Sequence, residues 1–253
     1  MVYLKNLALM KQLLIVITFL SVSSLFPSLH AQSQFTGWAA LFNTAKTGKK
    51  TSLLTDIQLR GTGQLAHTQT LLLRTGLQYS VTKKLGLTLG YAYIHNRRET
   101  VGLSGYLPEH RIWEQLLYNH KTGPVFVSHR IRVEQRFISK TKIENNDLKA
   151  DGYGNAYRLR YFIRNIIPLS NQTTGGFPKG AFAALQNEVF INTGNKSSVN
   201  GKAFDQNRLY FAGGYRFSTV FDLEAGYMYQ YVQGRSNTST HNHIAQVAGY
   251  WRF

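Results

Sequence analysis

The sequence predicts an all-β fold, an antiparallel transmembrane β-barrel of about 10–12 strands of the outer-membrane type. Three observations predict it. Apolar and polar residues alternate with period two along segment after segment, with no helical periodicity between them. The connections are alternately short and long, as in a barrel with tight turns at one end and loops at the other. The sequence also closes on a strand whose last apolar position is an aromatic, Phe253.

Taken from the start, the first 31 residues read as a secretory signal peptide. Lys5 and Lys11 precede the apolar run Leu13 to Leu20, and Ser28, Leu29, His30 and Ala31 lead to a cleavage point after Ala31. That run is shorter than the roughly 20 apolar residues of a spanning helix, which leaves 32–253 as a single barrel domain. No cysteine follows, which excludes a lipoprotein anchor, disulfides and thiol chemistry. Nothing beyond Ala31 approaches a transmembrane helix, so membrane residence falls to strands.

Segment 35–45, with Trp38 and Phe42, alternates but stands apart in the count. It either pairs with the next strand, making twelve if two strands are merged elsewhere, or lies in the lumen. Ten strands follow, at 52–60, 68–80, 85–96, 109–119, 125–139, 153–167, 181–193, 204–217, 220–233 and 242–253. Most exceed the roughly 9–11 residues a tilted strand needs to cross a bilayer. The connections 82–84, 121–124 and 218–219 are short, whereas 97–108, 140–152, 194–203 and 234–241 are longer and polar. With Phe253 at the periplasmic side, counting back places every long loop outside, and 168–179 falls inside with the short turns. On the last strand Val247, Gly249, Trp251 and Phe253 share one face, and Gln246, Tyr250 and Arg252 the other. Trp251 and Phe253 therefore read as the signal to the barrel insertion machinery, an expected partner.

The chain of 253 residues, about 220 after cleavage, suits one barrel. Aromatics make up 13%, yet mean hydropathy is slightly negative. Strands that spend half their residues on lipid and half on a polar interior produce this combination. The net charge of +17, or +15 without Lys5 and Lys11, calls for an anionic counterpart. In an exported chain with its basic residues dispersed, that counterpart is outer-membrane lipid and lipopolysaccharide phosphate, not nucleic acid.

Charges inside the strands carry the next step. Arg130, Arg132, Glu134 and Arg136 occupy one face, opposed by Ile131, Val133 and Phe137. Arg158, Arg160 and Arg164 face away from Tyr157, Leu159, Tyr161 and Ile163, and Glu188, Arg208, Asp222 and Glu224 sit similarly. An Arg or Lys on lipid at mid-depth costs roughly 2–4 kcal/mol, so these residues are expected to line the lumen, where Arg and Glu pair and brace it.

The run Glu109-His110-Arg111-Ile112-Trp113-Glu114-Gln115 is followed by Arg130-Ile131-Arg132-Val133-Glu134-Gln135-Arg136-Phe137 and Arg158-Leu159-Arg160-Tyr161. Asn187-Glu188-Val189-Phe190, Phe204-Asp205-Gln206-Asn207-Arg208-Leu209 and Gly226-Tyr227 come later. Together these resemble the DUF2490 family of uncharacterised proteins over nearly the whole mature chain. The resemblance implies an outer-membrane barrel of Gram-negative bacteria and no known activity.

No residue set points to catalysis, a cofactor or a metal. Ser128 and His129 are adjacent and therefore face opposite sides of a strand. Ser239, Thr240, His241 and His243 lie at a polar rim, Glu109 and Glu114 face opposite sides, and Asn145, Asn146, Asp147 and Asp151 read as a solvated loop. Barrels near eight strands are filled by their own side chains, while water-filled porins use about 16–18. The expected function is thus a narrow or self-plugged barrel, structural or passing small anions. Binding by the loops 97–108 and 194–203 is the alternative, and a lipid-modifying enzyme the second.

Overall fold

The structure, a computed structural model, describes residues 31–62, 66–100, 102–169, 176–236 and 238–253. The signal-peptide reading falls, Ala31 apart, outside the described residues. Eleven strands follow one another: β1 (Ala31–Lys46), β2 (Thr51–Thr62), β3 (His67–Ser80), β4 (Leu85–Thr100), β5 (Leu103–Thr122), β6 (Val125–Glu144), β7 (Asp147–Pro168), β8 (Gly180–Thr193), β9 (Phe204–Arg216), β10 (Phe221–Gln233) and β11 (Ser239–Arg252). Each pairs antiparallel with its predecessor, and the sheet closes between β1 and β11.

The ten strands expected from 52 onward are present, and segment 35–45 is an eleventh, paired with β2 so that Trp38 faces Arg60 and Lys46 faces Ser52. The count is therefore odd. With every hairpin antiparallel, an odd count leaves β1 and β11 running the same way, and the seam has the parallel pattern. Phe253 N–H donates to Thr44 O at 2.9 Å, and Lys46 N–H donates to Phe253 O at 3.0 Å, which sets Phe253 opposite Ala45. Phe42 stacks on Tyr250 in the same register, with ring centroids 4.9 Å apart.

Two expected loops are strand instead. Segments 97–108 and 140–152 belong to the hairpins β4–β5 and β6–β7, and β5, β6 and β7 run to 20, 20 and 22 residues. They project past their neighbours at the end opposite Phe253. Polar residues on both faces hid them, with Leu107 and Leu148 the buried apolar exceptions. Near its tip Glu144 takes Lys149 across the hairpin at 3.0 Å and Lys142 along its own strand at 3.6 Å. Asn145 and Asn146 form its tip at φ 51° and 59°, the left-handed pair that a two-residue hairpin turn requires. The connection 194–203 is a true loop, and β7 and β8 meet the next connection at the Phe253 end, as parity demands.

The outer wall is zoned. Tyr79, Tyr118, Tyr215, Phe217, Trp251 and Phe253 are exposed at one end, and Tyr106, Tyr153 and Tyr227 at the other. Between them lies an exposed apolar band that includes Ile57, Leu73, Leu89, Ile112, Ile131, Leu159, Leu223 and Val247. Two polar pairs interrupt it. Gln135 Nε2 donates to both oxygens of Glu114, at 3.0 and 3.1 Å, and Asn187 and Asn207 exchange amide hydrogen bonds at 3.2 and 3.1 Å.

Candidate functional site

Period two sends the opposite set of side chains inward, and there the charges concentrate. Glu134 on β6 is 1% exposed and receives Arg158 Nη2 at 2.6 Å, with Arg160 on its other oxygen. Glu188 on β8 receives Arg160 and Arg130, each at 2.7 Å. Glu109 on β5 takes Arg111 at 2.6 Å and Arg136 at 2.7 Å. Arg158 reaches on to Asp205 of β9 at 2.9 Å, and Arg164 crosses to Glu224 of β10, which also accepts from Tyr250 Oη at 2.8 Å. An isolated buried charge is prohibitively costly, and this mutual pairing offsets the desolvation. Because the pairs span β5 to β10, they brace that side of the barrel from within.

The other side is built differently. Arg74 pairs with Asp56 at 2.6 Å, while Trp113 of β5 lies flat over β3 and β4. Only glycine there lets the indole in: a Cβ on Gly76 would meet Trp113 Cη2 at 2.6 Å, and one on Gly90 would meet Trp113 Cζ2 at 2.2 Å. Leu72, Ala92 and Ile94 complete this apolar cluster. Between the two sides lies a cavity of about 720 Å³, lined by thirteen arginines and by three carboxylates, Asp56, Glu109 and Glu188. Aromatic faces support many of these guanidiniums: Arg130 lies 4.0 Å over Phe162, Arg160 4.5 Å over Phe190 and Arg164 5.2 Å over Tyr250.

Of the eleven charged residues singled out from the sequence, Arg130, Arg132, Arg136, Arg158, Arg160, Arg164, Glu188 and Arg208 line the cavity, and Asp222 is buried against Arg216 at 2.8 Å. Glu134 and Glu224 are buried in the pairs behind it. Arg60, Arg74, Asp56, Glu109, Arg111, Trp38 and Trp113 were not among them. The alternation of Asp56, Gln58 and Arg60 with Leu53, Ile57 and Leu59 is the signal that finds the first of these.

Trp251 stands on the outer wall, its ring 5.6 Å from that of Phe253 and 5.2 Å from that of Phe221. Ser128 lines the cavity while His129 faces outward and bonds Tyr161 Oη at 2.9 Å. His241 meets Ser239 Oγ at 3.4 Å and Tyr229 Oη at 2.5 Å, and His243 meets Tyr227 Oη at 2.6 Å. These two imidazoles thus belong to a belt of Tyr–His contacts, which His110 continues by bonding Tyr91 Oη at 2.5 Å and Tyr153 Oη at 3.2 Å.

Comparison with known proteins adds three findings. The profile of a family described as "Protein of unknown function (DUF2490)" matches residues 35–241. Among solved structures, the barrel is similar to one described as "NanC porin structure in rhombohedral crystal form", at 11% identity and a TM-score of 0.42, over 78% of this chain and 84% of that one. No curated protein matches.

Proposed function

The chain belongs to the DUF2490 family of proteins of unknown function, and we propose that it is an outer-membrane barrel whose narrow lumen passes small anions. The observation that carries this reading is the cavity wall, with thirteen arginines against three carboxylates. A channel lined by one sign of charge concentrates the opposite ion and repels its own. The exterior supports membrane placement, because an exposed apolar band between two aromatic belts is what lipid solvates and water does not. The sequence features of a signal peptide and of a final strand ending on Trp251 and Phe253 support export and recognition by insertion machinery. Lipopolysaccharide phosphates are the partner that the basic surface suits.

The test is conductance of the refolded protein in a planar bilayer under a salt gradient. Small discrete steps with a reversal potential of anion sign are expected. A cation-selective or silent barrel overturns the channel reading.

A further inference from the structure

Three lumen arginines share an arrangement that a brace does not need. Arg60 donates to Gln58 Oε1 at 2.7 Å and lies 4.2 Å over the Trp38 ring. Arg132 donates twice to Gln115 Oε1, at 3.1 and 2.6 Å, and lies 4.3 Å over Trp113. Arg208 donates to Gln206 Oε1 at 3.1 Å and lies 5.0 Å from Trp38 and 4.7 Å from Phe190. Among the described residues none of the three hydrogen-bonds a carboxylate, although Arg132 Nη1 lies 3.9 Å from Glu134 Oε1. An amide oxygen and a ring face hold each guanidinium in place without a hydrogen-bonded counterion. Glutamate has the same reach as glutamine and would neutralise it, so an amide at 58, 115 and 206 preserves positive charge, and those of Gln58 and Gln206 also donate to Asp56 and Asp205 at 3.3 and 3.4 Å.

Polar capacity is left over at the same place. Arg60 Nε, Arg132 Nη1 and Trp113 Nε1 are buried and have no hydrogen-bond acceptor among the described residues. All three are donors, and their side chains line one cavity. Buried donors without acceptors are costly, and an arriving acceptor recovers that cost. The charges bearing most on Arg60 are other guanidiniums, of Arg208, Arg111, Arg160 and Arg74. The cavity, at about 720 Å³, lies within the range of small-ligand sites.

We infer that Arg60, Arg132 and Arg208, with the faces of Trp38 and Trp113, form a binding site for a small organic oxyanion. The oxyanion is a carboxylate or phosphate carried on a planar or apolar body. Its charged end takes the open N–H donors in the forked geometry of guanidinium recognition, and its body lies on an indole. The inference rests on the anion-favouring lumen proposed above, and it adds selection among anions.

Binding is measured by tryptophan fluorescence and calorimetry on the barrel in detergent micelles, where no conduction is required. The probes are benzoate, phenyl phosphate, inorganic phosphate and neutral benzamide. Benzoate or phenyl phosphate is expected to bind, whichever is tighter naming the charged group, and benzamide and inorganic phosphate to bind at least about tenfold more weakly. Gln58→Glu, Gln115→Glu and Gln206→Glu keep shape while cancelling charge. Each folded variant is expected to weaken the better probe by about tenfold or more. Arg208→Gln serves the same purpose if a glutamate variant does not fold. Equal binding of benzamide, equal binding of inorganic phosphate, or indifference to all the substitutions overturns the site. Organic-anion binding by a barrel that conducts nothing leaves the site standing and removes the channel. Anion-selective conductance with no binding does the reverse.

Discussion

Arg132 and Arg160 stand directly opposite each other on β6 and β7, both pointing into the lumen, and they are not equivalent. The guanidinium of Arg160 is held between Glu134 and Glu188, whereas that of Arg132 hydrogen-bonds, among the described residues, only the amide of Gln115 and stands 3.9 Å from Glu134. Arg160 belongs to the brace through direct hydrogen bonds, whereas Arg132 reaches its carboxylates only at the longer 3.9 Å distance to Glu134. Arg160→Gln is therefore expected to lower stability by about 3–5 kcal/mol, the cost of leaving buried carboxylates without their cation. Arg132→Gln is expected to cost about 1–2 kcal/mol and to shift the reversal potential more. Urea unfolding of the refolded variants, set beside bilayer recordings, separates the two. Equal stability losses would contradict the division.

On the outer wall, Glu114 stands opposite Leu89 on one side and Val133 on the other. Gln135 is its hydrogen-bonding partner there. A carboxylate at this level costs less in lipid than a basic residue does, yet more than leucine. The double substitution Glu114→Leu with Gln135→Leu is expected to raise stability in lipid vesicles by about 1–2 kcal/mol. An unchanged unfolding midpoint would show that this face does not meet hydrocarbon.

The close approach of Trp113 to Gly76 involves side-chain atoms only, with Thr88 Cγ2 the next neighbour at 3.0 Å. Gly76→Ala is expected to cost about 1–3 kcal/mol through overpacking. In a Trp113→Leu background the same change is expected to cost almost nothing, because the indole is gone. A double-mutant cycle on unfolding midpoints reads this coupling directly. Additive effects would remove the indole as the cause.

At the tip of β6–β7, Asn146 sits at φ 59°. Asn146→Gly is expected to be neutral or slightly stabilising, and Asn146→Val to cost about 1–2 kcal/mol, since a β-branched residue resists the left-handed region. Thermal unfolding and proteolysis of the hairpin check both. Equal tolerance of glycine and valine would count against the turn.

What could be read from the sequence follows the apolar band. Wherever a strand separates lipid-type from lumen-type residues, period two appears, and the ten strands from 52 onward were legible for that reason. Past the band the constraint vanishes, and Arg97, Arg98 and Lys142 read as loop although their backbones are paired. The lumen was legible where charges repeat, as at Arg130, Arg132, Glu134 and Arg136. Arg60 and Arg74 stand on strands with few other charges, and Trp38 and Trp113 look like wall residues until their parity is counted. Of the glutamine partners, Gln58 and Gln206 stand two residues from Arg60 and Arg208 on the same strand face, whereas Gln115 meets Arg132 only through the register of β5 with β6.

The parallel seam between β1 and β11 bears on how the barrel assembles. Every other pairing joins strands adjacent in sequence, so hairpins form locally and zip in order. The seam unites Ala45 with Phe253, and closing a loop of about 200 residues costs roughly 3–4 kcal/mol more in chain entropy than closing a four-residue hairpin. It has the highest contact order in the molecule and gains nothing until both edges are complete, so it is the last pairing made in folding and the first released when the cylinder opens. Until that moment the chain is a curved sheet with two bare edges, and the strand that completes it follows the other ten in chain order.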